Sequence, residues 1–241
     1  MKKNYLFVSD VDDTLLGNNQ SLAKLTATLN AARDQIVIAY NSSRPCASIR
    51  KSLEEQVHLP QPDYLIGALG TEIQDTCHGE AIGAYTNQWV ADWKRNEVAA
   101  LMNRLGFAAH EDEFQTPFKA SYHVLGDAQY QRVLEHLKRE GIRAKVIFSS
   151  GKDIDIIPAG AGKGTAVESL RVMRGFNVEQ VVVAGDSVND REMFLHSYRG
   201  IVVGNADTHL KALTGPLIYH AQKYHAAGVL EGLRHWGVLN P

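Results

Sequence analysis

The chain of 241 residues is long enough to bury a sizeable core, as one large domain or two smaller ones. Its apolar share of 44% and charged share of 22% are ordinary for a soluble globular protein. The formal net charge of -2 gives no attraction to nucleic acid or to anionic membranes, so we expect neither as a partner.

The cysteines and the N-terminal sequence indicate the cellular location that we expect for the protein. Cys46 and Cys77 are too few for a disulfide framework, and the cysteines and histidines show no zinc-ligand spacing. The first apolar run is shorter than the ~7–15 residues of a signal-peptide core, and no stretch approaches the ~20 apolar residues of a membrane span. We therefore expect a cytoplasmic protein with reduced thiols and no membrane contact. We also expect a monomer.

Both ends of the chain alternate between short apolar runs and amphipathic segments. The apolar runs predict strands at 5–10, 36–43, 63–70, 181–187 and 200–206. Apolar spacing predicts one helix over 21–32, capped by Ser21, and another over 163–174. This alternation predicts an α/β fold with a doubly wound, mostly parallel, Rossmann-like sheet. Ligands of such folds bind at the carboxyl ends of the strands.

The middle of the chain has a different pattern. It predicts two helices and three strands, at 89–106, 127–141, 119–126, 143–150 and 153–158. We interpret these as a compact α+β unit that is inserted into the first fold. The predicted division is a core domain of 1–83 and 159–241 and an inserted domain of 84–158. Trp89 and Trp93 are four apart on the first of these helices, and a packing role is favoured over ligand contact.

The run DVDDT follows the first predicted strand and places three aspartates within four positions. Asp10 at the strand end can attack an electrophile, and Asp12 can exchange a proton with a leaving group and with water. If the strand continues to Asp12, period two puts these two side chains on one face and turns Asp13 away. A solvated acidic turn is the simpler alternative.

A second acidic segment, VVVAGDSVND, has Asp186 and Asp190 four positions apart at a helix start that Ser187 can cap. Alone, these carboxylates could serve only as acidic capping. Parallel strands would bring them next to Asp10 and Asp12, and carboxylates that close destabilise a site that holds no cation. A hard cation that binds oxygen and keeps water ligands, Mg²⁺, suits such a site.

Two further segments carry groups that can bind phosphate. In YNSSRP, Ser42 can offer its hydroxyl and backbone N–H, while Arg44 is either a ligand contact or a structural residue. In GAGKGTAV, glycines flank Lys163 at a helix start, where the backbone favours an anion, although a solvated lysine is equally compatible. A carboxylate nucleophile, an acid/base carboxylate, a hydroxyl, a lysine and a metal site are the groups that phosphate monoester hydrolysis needs.

These segments resemble, in order, the four motifs of the haloacid dehalogenase superfamily of aspartate-nucleophile phosphatases. The resemblance implies that the inserted unit is a C2-type cap. It also implies catalytic roles for Asp10, Asp12, Ser42 and Lys163. By the same resemblance, Mg²⁺ is held by Asp10, the backbone carbonyl of Asp12, and Asp186, with Asn189 and Asp190 in support.

Longer segments, at 118–124, 146–158, 163–170 and 221–233, resemble sucrose-6-phosphate phosphatases, particularly the compact cyanobacterial type. This implies a sugar phosphate substrate, with sucrose 6-phosphate as the first choice, and a cap that closes over the sugar. The substrate-binding candidates are Ser42, Arg44, Lys119, Tyr122, His123, Lys152, Asp153, Lys163 and Asn189. His123 as an ordinary strand residue and Lys152 as a solvated turn residue are the competing interpretations.

Several functions stay open at this stage. Resemblance of fold does not choose among sucrose 6-phosphate, related glycosides such as mannosylfructose phosphate, and phosphomutase substrates. A hypothesis from another class is a phosphosugar-binding subunit that partners the glycosyltransferase making the ester, with a sucrose-phosphate synthase as the candidate. The presence of both Asp10 and Asp12 favours catalysis, because binding alone would not require the pair.

Overall fold

The computed structural model describes residues 4–240, without the side chain of Glu80. Its strands are β1 Tyr5–Ser9, β2 Ile36–Asn41, β3 Tyr64–Gly67, β4 Glu72–Asp75, β5 Glu80–Ala81, β6 Ala120–His123, β7 Ala144–Ser149, β8 Asp153–Pro158, β9 Val181–Gly185, β10 Arg199–Val202 and β11 Ile218–His220. Its α-helices are α1 Asn19–Ala31, α2 Cys46–Glu55, α3 Gly83–Thr86, α4 Arg95–Leu105, α5 Gly126–Arg139, α6 Lys163–Arg174, α7 Thr208–Lys211 and α8 His225–His235. Within residues 4–240, no helix has both the length and the apolar character needed to cross a membrane.

The larger sheet has eight strands in the order β11-β10-β9-β1-β2-β3-β4-β5. The strands from β11 to β3 run parallel, and β4 and β5 add an antiparallel edge. The predicted α/β class with a mostly parallel sheet is therefore confirmed. The central strands β1, β2 and β9 are mostly apolar and almost entirely buried, because both faces of the sheet are covered.

The register of the three central strands positions the site. Ser9, the last residue of β1, pairs with Tyr40 on one side and Ala184 on the other. The backbone N–H of Asp10 then donates to the Ala184 carbonyl at 3.0 Å. The residues that follow β1, β2 and β9 thus emerge at one edge of the sheet.

A second, three-stranded antiparallel sheet has the order β6-β8-β7. Alternate side chains such as Tyr122, Ile154 and Ile156 point towards α4 and α5, where they form a hydrophobic cluster separate from that of the larger sheet. Lys119 and Asp155 lie on the opposite face, which is turned towards the larger sheet. We call β6–β8, α4 and α5 the cap.

The cap limits of 84–158 stay a prediction. Tyr85 and Trp89 pack in the hydrophobic cluster of the larger sheet, whereas Trp93 packs in the cluster of the cap. The chain therefore crosses from one cluster to the other between Trp89 and Trp93.

Two local predictions are wrong. The helix expected from residue 89 begins at Arg95, because the Trp89 indole donates to the Thr71 carbonyl at 3.2 Å and that of Trp93 to the Pro117 carbonyl at 2.8 Å. These contacts fix the tryptophans in two different hydrophobic clusters, which confirms their packing role. The second wrong prediction concerns the N-terminus of α1. Its N-cap residue is Asn18 and not Ser21, because Asn18 Oδ1 accepts the Ser21 N–H at 2.9 Å.

Two glycines meet where the loop after β3 touches the segment before α6. Gly70 has φ of +79°, and a Cβ on it would lie 2.2 Å from the carbonyl oxygen of Gly162. Gly162 directly precedes Lys163. The missing side chain at Gly70 therefore lets the lysine-bearing segment rest against the loop after β3.

We expect Gly70→Ala to destabilise the protein by about 2 kcal/mol more than Gly79→Ala, because overpacking adds to the cost of the left-handed backbone. Gly79 also has positive φ, at +70°, but a Cβ on it would meet no atom within 4 Å, which makes it the matched control. Urea unfolding of both variants measures the difference. Equal losses would contradict the close approach at Gly162.

Candidate active site

Lys163 lies at the centre of the site. Its Nζ donates to Asp10 Oδ1 at 2.7 Å and to Asp190 Oδ1 at 2.6 Å, and all three side chains are buried. Lys163 is the first residue of α6, and its backbone carbonyl accepts from Asn41 Nδ2 at 3.0 Å. The start of α6 is thereby fixed beside the carboxyl ends of β1 and β2.

Asp186 completes a cluster of three carboxylates. Thr14 Oγ1 donates to Asp186 Oδ1 at 2.8 Å and lies 3.4 Å from Asp10 Oδ2. One oxygen from each of Asp10, Asp186 and Asp190 lies within 4.8 Å of the others. Asp190 Oδ2 also accepts the backbone N–H groups of Asp186 and Ser187 at 3.0 and 3.1 Å, so both its oxygens are engaged by protein donors.

Burial is the largest influence on the pKa values of the carboxyl groups in this cluster. It raises the pKa of Asp10, an effect that the charge of Lys163 offsets only in part. Burial and the charges of Asp190 and Asp10 raise the pKa of Asp186 to about 8. Burial opposes the charge on Lys163 as well, but attraction to Asp10 and Asp190 outweighs it and raises the pKa of the lysine. The raised pKa of the lysine and the raised pKa values of the carboxyl groups have one cause, because a single ammonium faces three buried carboxylates.

The residues fit a hard divalent cation. With the three carboxylates ionised and Lys163 charged, the cluster carries three negative charges and one positive charge, a sum of -2. Its carboxylate oxygens are the donors that Mg²⁺ prefers. Nearby, Asn189 Oδ1 is buried and lacks a hydrogen-bond partner among the described residues. Such an oxygen suits a metal-bound water or a substrate hydroxyl as its partner.

A cleft of about 660 Å³ opens between this cluster and the cap. It is lined by Asp10, Asp12, Asp13, Ser43, Asp127, Phe148, Ser149, Ser150, Gly151, Asp186, Ser187, Val188, Asn189, Asp207 and His209. The strand ends of the larger sheet form one wall, and the turn between β7 and β8 contributes to the other. Four of the predicted site residues, Asp10, Asp12, Asp186 and Asn189, face this one cavity.

The turn after β1 differs from the expectation. The strand ends at Ser9, and Asp13 has φ of 57°, so strict alternation does not extend to Asp12. Asp13 lines the cleft beside Asp12 and does not turn away from it. Its backbone carbonyl accepts from Asn205 Nδ2 at 2.7 Å, which holds the turn to the loop after β10.

Ser42 and Arg44, the two candidates predicted from YNSSRP, have different surroundings, and neither lines the cleft. Ser42 is buried, and its Oγ accepts the backbone N–H of Arg44 at 3.1 Å, whereas Ser43 lines the cleft. Arg44 does not line the cleft. Its Nε lies 2.8 Å from Asp12 Oδ2, so its charge faces a carboxylate of the site.

Among the cap candidates, Lys119 and Tyr122 point in opposite directions. Lys119 Nζ donates to Asp155 Oδ1 at 3.0 Å, and Ser121 Oγ donates to the same oxygen at 2.5 Å, on the face turned towards the larger sheet. Tyr122 is buried against the cap helices and does not line the cleft, so its packing does not support the predicted substrate contact. Its neighbour Ser121 lies on the opposite face of the cap sheet, which is turned towards the larger sheet.

The remaining cap candidates lie near the β7–β8 turn. Lys152 is exposed and lies outside the residues lining the cleft. Asp153 Oδ1 lies 3.4 Å from His123 Nδ1 and 3.1 Å from His110 Nε2. The turn itself was predicted, but Ser149, Ser150 and Gly151 are the members that reach the cleft.

His110, His123 and Asp153 form a second cluster of possible ligand atoms, which lie within 4.8 Å of one another. The centroids of the two imidazole rings are 3.8 Å apart, and the ring planes are tilted by 32°. Both rings contact the same Asp153 oxygen, so the three side chains form a compact polar cluster beside the β7–β8 turn.

Sequence reasoning missed the residues that touch the site indirectly or through the cap. Asn41 and Phe148 lie in apolar runs that read as ordinary strands, and Asp127 begins a helix as many acidic residues do. Asp207 caps α7 through Leu210 N–H at 2.7 Å and also lines the cleft. A search for polar residues after β10, the strand next to β9, would have found Asp207.

The sheet order, the inserted second sheet and the acidic cluster at the strand ends define a phosphatase of the haloacid dehalogenase superfamily. The sucrose-phosphatase of Synechocystis, solved in complex with sucrose and phosphate, superposes with a TM-score of 0.91 and 32% identity, covering 99% of this chain and 100% of that one. The chain belongs to the sucrose-6F-phosphate phosphohydrolase family, whose model matches residues 3–237.

Two curated relatives carry other names. The mannosylfructose-phosphate phosphatase of Agrobacterium fabrum is 35% identical over 249 residues, which cover 100% of each chain. The glucosylglycerol-phosphate synthase of Pseudomonas anguilliseptica is 27% identical over 244 residues, which cover 97% of this chain and 31% of that protein. Proteins similar to this chain are therefore named for different sugar phosphates.

We expect the metal-free protein to lose stability as the pH rises from about 4 to about 8. A carboxyl such as Asp186, with a pKa of about 8 when folded, binds its proton more tightly in the folded state than in the unfolded state. Its contribution is complete below the unfolded pKa of about 3.9 and is lost by the folded pKa. Urea unfolding in EDTA at several pH values measures the slope.

Asp186→Asn should flatten that slope by about 1 kcal/mol per pH unit, because one proton no longer binds on folding. Asp92→Asn, at an exposed position outside the site, controls for the loss of a negative charge. Equal flattening in both variants would contradict the assignment to Asp186.

Proposed function

We propose that this protein is a Mg²⁺-dependent phosphatase of a fructosyl disaccharide phosphate, with sucrose 6-phosphate as the first candidate. One observation carries the proposal: the cleft of about 660 Å³ has the Asp10 cluster on one wall and the polar turn of the cap on the other. A phosphate ester reaching from one wall to the other would place its phosphorus at Asp10 and its sugar against the cap. Membership of the family supports the same substrate class.

The proposed chemistry begins with Asp10. Its Oδ1 accepts from Lys163 at 2.7 Å, so we assign the attack on phosphorus to Oδ2, which lies 3.4 Å from Thr14 Oγ1. A bond forms between Oδ2 and phosphorus while the ester P–O bond breaks. The Lys163 ammonium offsets the charge of the nucleophile and of the transferring phosphoryl group.

Asp12 is the proposed acid and base. It gives a proton to the departing sugar oxygen, and it then takes a proton from the water that attacks the aspartyl-phosphate. This releases phosphate and restores Asp10. Mg²⁺, held by Asp10, the Asp12 carbonyl and Asp186 with support from Asp190 and Asn189, would supply charge neutralisation at the phosphoryl oxygens.

The cap supplies the proposed sugar contacts. Ser149, Ser150 and Gly151 line the cleft, and Lys119 pairs with Asp155 on the face of the cap sheet that is turned towards the larger sheet. Each buried sugar hydroxyl needs such a partner, because an unsatisfied one costs about 1–3 kcal/mol. His123 and Asp153 remain candidates beside the turn, and Lys152 is the weakest because it is exposed.

Mannosylfructose phosphate is the second candidate substrate. A relative named for that phosphatase activity is 35% identical over the whole chain. Its named substrate shares the fructosyl unit with sucrose 6-phosphate and differs in the second hexose. The choice between them therefore depends on the cap wall of the cleft.

Partnership, oligomeric state and compartment stay predictions. The glucosylglycerol-phosphate synthase relative contains a region similar to nearly all of this chain within a protein about three times as long, since the match spans 31% of it. This supports the hypothesis that the present chain works beside a synthase that makes its substrate. We propose a sucrose-phosphate synthase as that partner, and a cytoplasmic monomer as the working form.

Asp10→Asn should abolish phosphate release, because an amide oxygen is too weak a nucleophile to form the aspartyl-phosphate. EDTA should stop the wild-type reaction, and Mg²⁺ should restore it. Phosphate release from p-nitrophenyl phosphate and from sucrose 6-phosphate measures both effects. Asp34→Asn, on an exposed loop, is the matched control and should keep wild-type activity.

Appreciable turnover by Asp10→Asn would remove Asp10 as the nucleophile, and indifference to EDTA would remove the metal site. An inactive wild type that still binds sugar phosphates would favour the binding-subunit hypothesis. In that case, capture of a sucrose-phosphate synthase by the Asp10→Asn protein would be the next measurement.

A phosphate-release screen should rank the disaccharide phosphates above the monosaccharide esters, because only the former reach the cap turn. The screen includes sucrose 6-phosphate, mannosylfructose phosphate, fructose 6-phosphate and glucose 6-phosphate, compared by kcat/KM. Equal values for disaccharide and monosaccharide esters would refute the disaccharide assignment and leave the phosphatase assignment intact.

A further inference from the structure

Arg44 faces the proposed acid/base without reaching the cleft itself. Its Nε lies 2.8 Å from Asp12 Oδ2, and the arginine side chain is 21% exposed against 50% for the aspartate. Asp12 lines the cleft and Arg44 does not. The guanidinium therefore acts on the cleft through Asp12.

The rest of Arg44 is anchored away from the cleft. Nη1 donates to Ser52 Oγ at 2.8 Å and lies 3.5 Å from Ser48 Oγ, both on α2. The backbone N–H of Arg44 donates to Ser42 Oγ, and its carbonyl accepts from the Ala68 N–H at 2.8 Å. These contacts fix the plane of the guanidinium relative to the loop after β2.

The edge of the guanidinium that faces Asp12 still has donors to offer. Nε and Nη2 form one edge, and both are buried without an aligned hydrogen bond among the described residues. The short Nε contact is thus an ion pair in which the N–H does not point at the oxygen. Such an edge matches a carboxylate in a bidentate arrangement, which a small rotation of Asp12 would complete.

We propose that Arg44 is a positioning residue that holds the Asp12 carboxylate ready for proton transfer, and that it does not contact the phosphoryl group. This rests on the proposed function, because it assumes that Asp12 protonates the leaving oxygen. It also replaces direct substrate contact as the role of Arg44. The same edge cannot serve Asp12 and a phosphate at once.

The test compares two leaving groups in the first turnover. Nitrophenolate departs without a proton, whereas a sugar alkoxide needs one. Only the first turnover is compared, because the later attack of water uses Asp12 for every substrate. We expect Arg44→Ala to slow the first turnover of sucrose 6-phosphate, or of whichever screened sugar phosphate the wild type prefers, by about 10-fold to 100-fold. The burst of nitrophenolate from p-nitrophenyl phosphate should slow by less than about threefold.

Arg50→Ala is the matched control. Arg50 lies on α2, the helix that carries Ser48 and Ser52, and its guanidinium donates to Gln74 Oε1 at 2.9 and 3.0 Å. Like Arg44, it does not line the cleft. We expect wild-type rates from it on both esters. If Arg44→Ala does not fold, Arg44→Lys takes its place, since one ammonium cannot hold Ser52 and Asp12 together, and the same selective loss is expected.

Equal losses on the two esters, or a raised KM with unchanged first-turnover rates, would show phosphate contact or general disruption and overturn the positioning role. An unchanged rate on both esters would overturn it as well. Failure of the proposed function is distinct, because the wild type would then hydrolyse neither ester, or Asp10→Asn would remain active.

Discussion

The ion pair network around Lys163 is the interaction on which the rest of the site depends. One buried ammonium is hydrogen-bonded to Asp10, which follows β1, and to Asp190, which lies beyond β9. These elements are far apart in sequence, and the parallel sheet is what brings them together. Removing one member of such a network leaves uncompensated buried charge, which costs far more than an exposed ion pair contributes. The close approach of Gly70 to Gly162 and the Asn41 bond to the Lys163 carbonyl are therefore structural conditions for the chemistry.

The cap depends on a different constraint, because one face of its sheet packs on its own helices while the other lies over the larger sheet. Ile147 on that second face packs against the core cluster, and Lys145 Nζ lies 3.0 Å from Glu192 beyond β9. Polar groups enclosed between two sheets must be paired. Lys119 and Ser121 meet this requirement by donating to the same oxygen, Asp155 Oδ1. The face that packs on the core is therefore also the face that carries the paired polar groups of the cap.

The sequence was informative where a single rule decides the outcome. Strands buried on both faces appear as unbroken apolar runs, and the carboxyl ends of parallel strands meet at one edge, so the core and the positions of Asp10 and Asp186 could be predicted. The orientation of side chains in the cap could not be predicted in the same way. Successive side chains of a strand point to opposite faces, and the register is set by the partner strands. That is why Tyr122 points to the helices while its neighbour Ser121 points to the core. The course of the chain at Asp13 and between Trp89 and Arg95 depends on hydrogen bonds with residues that are distant in sequence, which no local pattern reveals.

The proposed division between core and cap also accounts for the different sugars in the names of similar proteins. The core acts on a phosphoryl group that is the same in every substrate, and its geometry is fixed by buried charges that tolerate little change. In the proposed function the sugar lies against a turn of few residues, where gaining or losing one hydrogen bond is worth about 1–3 kcal/mol. Since about 1.4 kcal/mol is a factor of ten, one or two polar atoms in that turn are enough to change the preferred sugar. Substrate choice is therefore expected to follow the cap residues at 148–151, and not overall identity to any one relative.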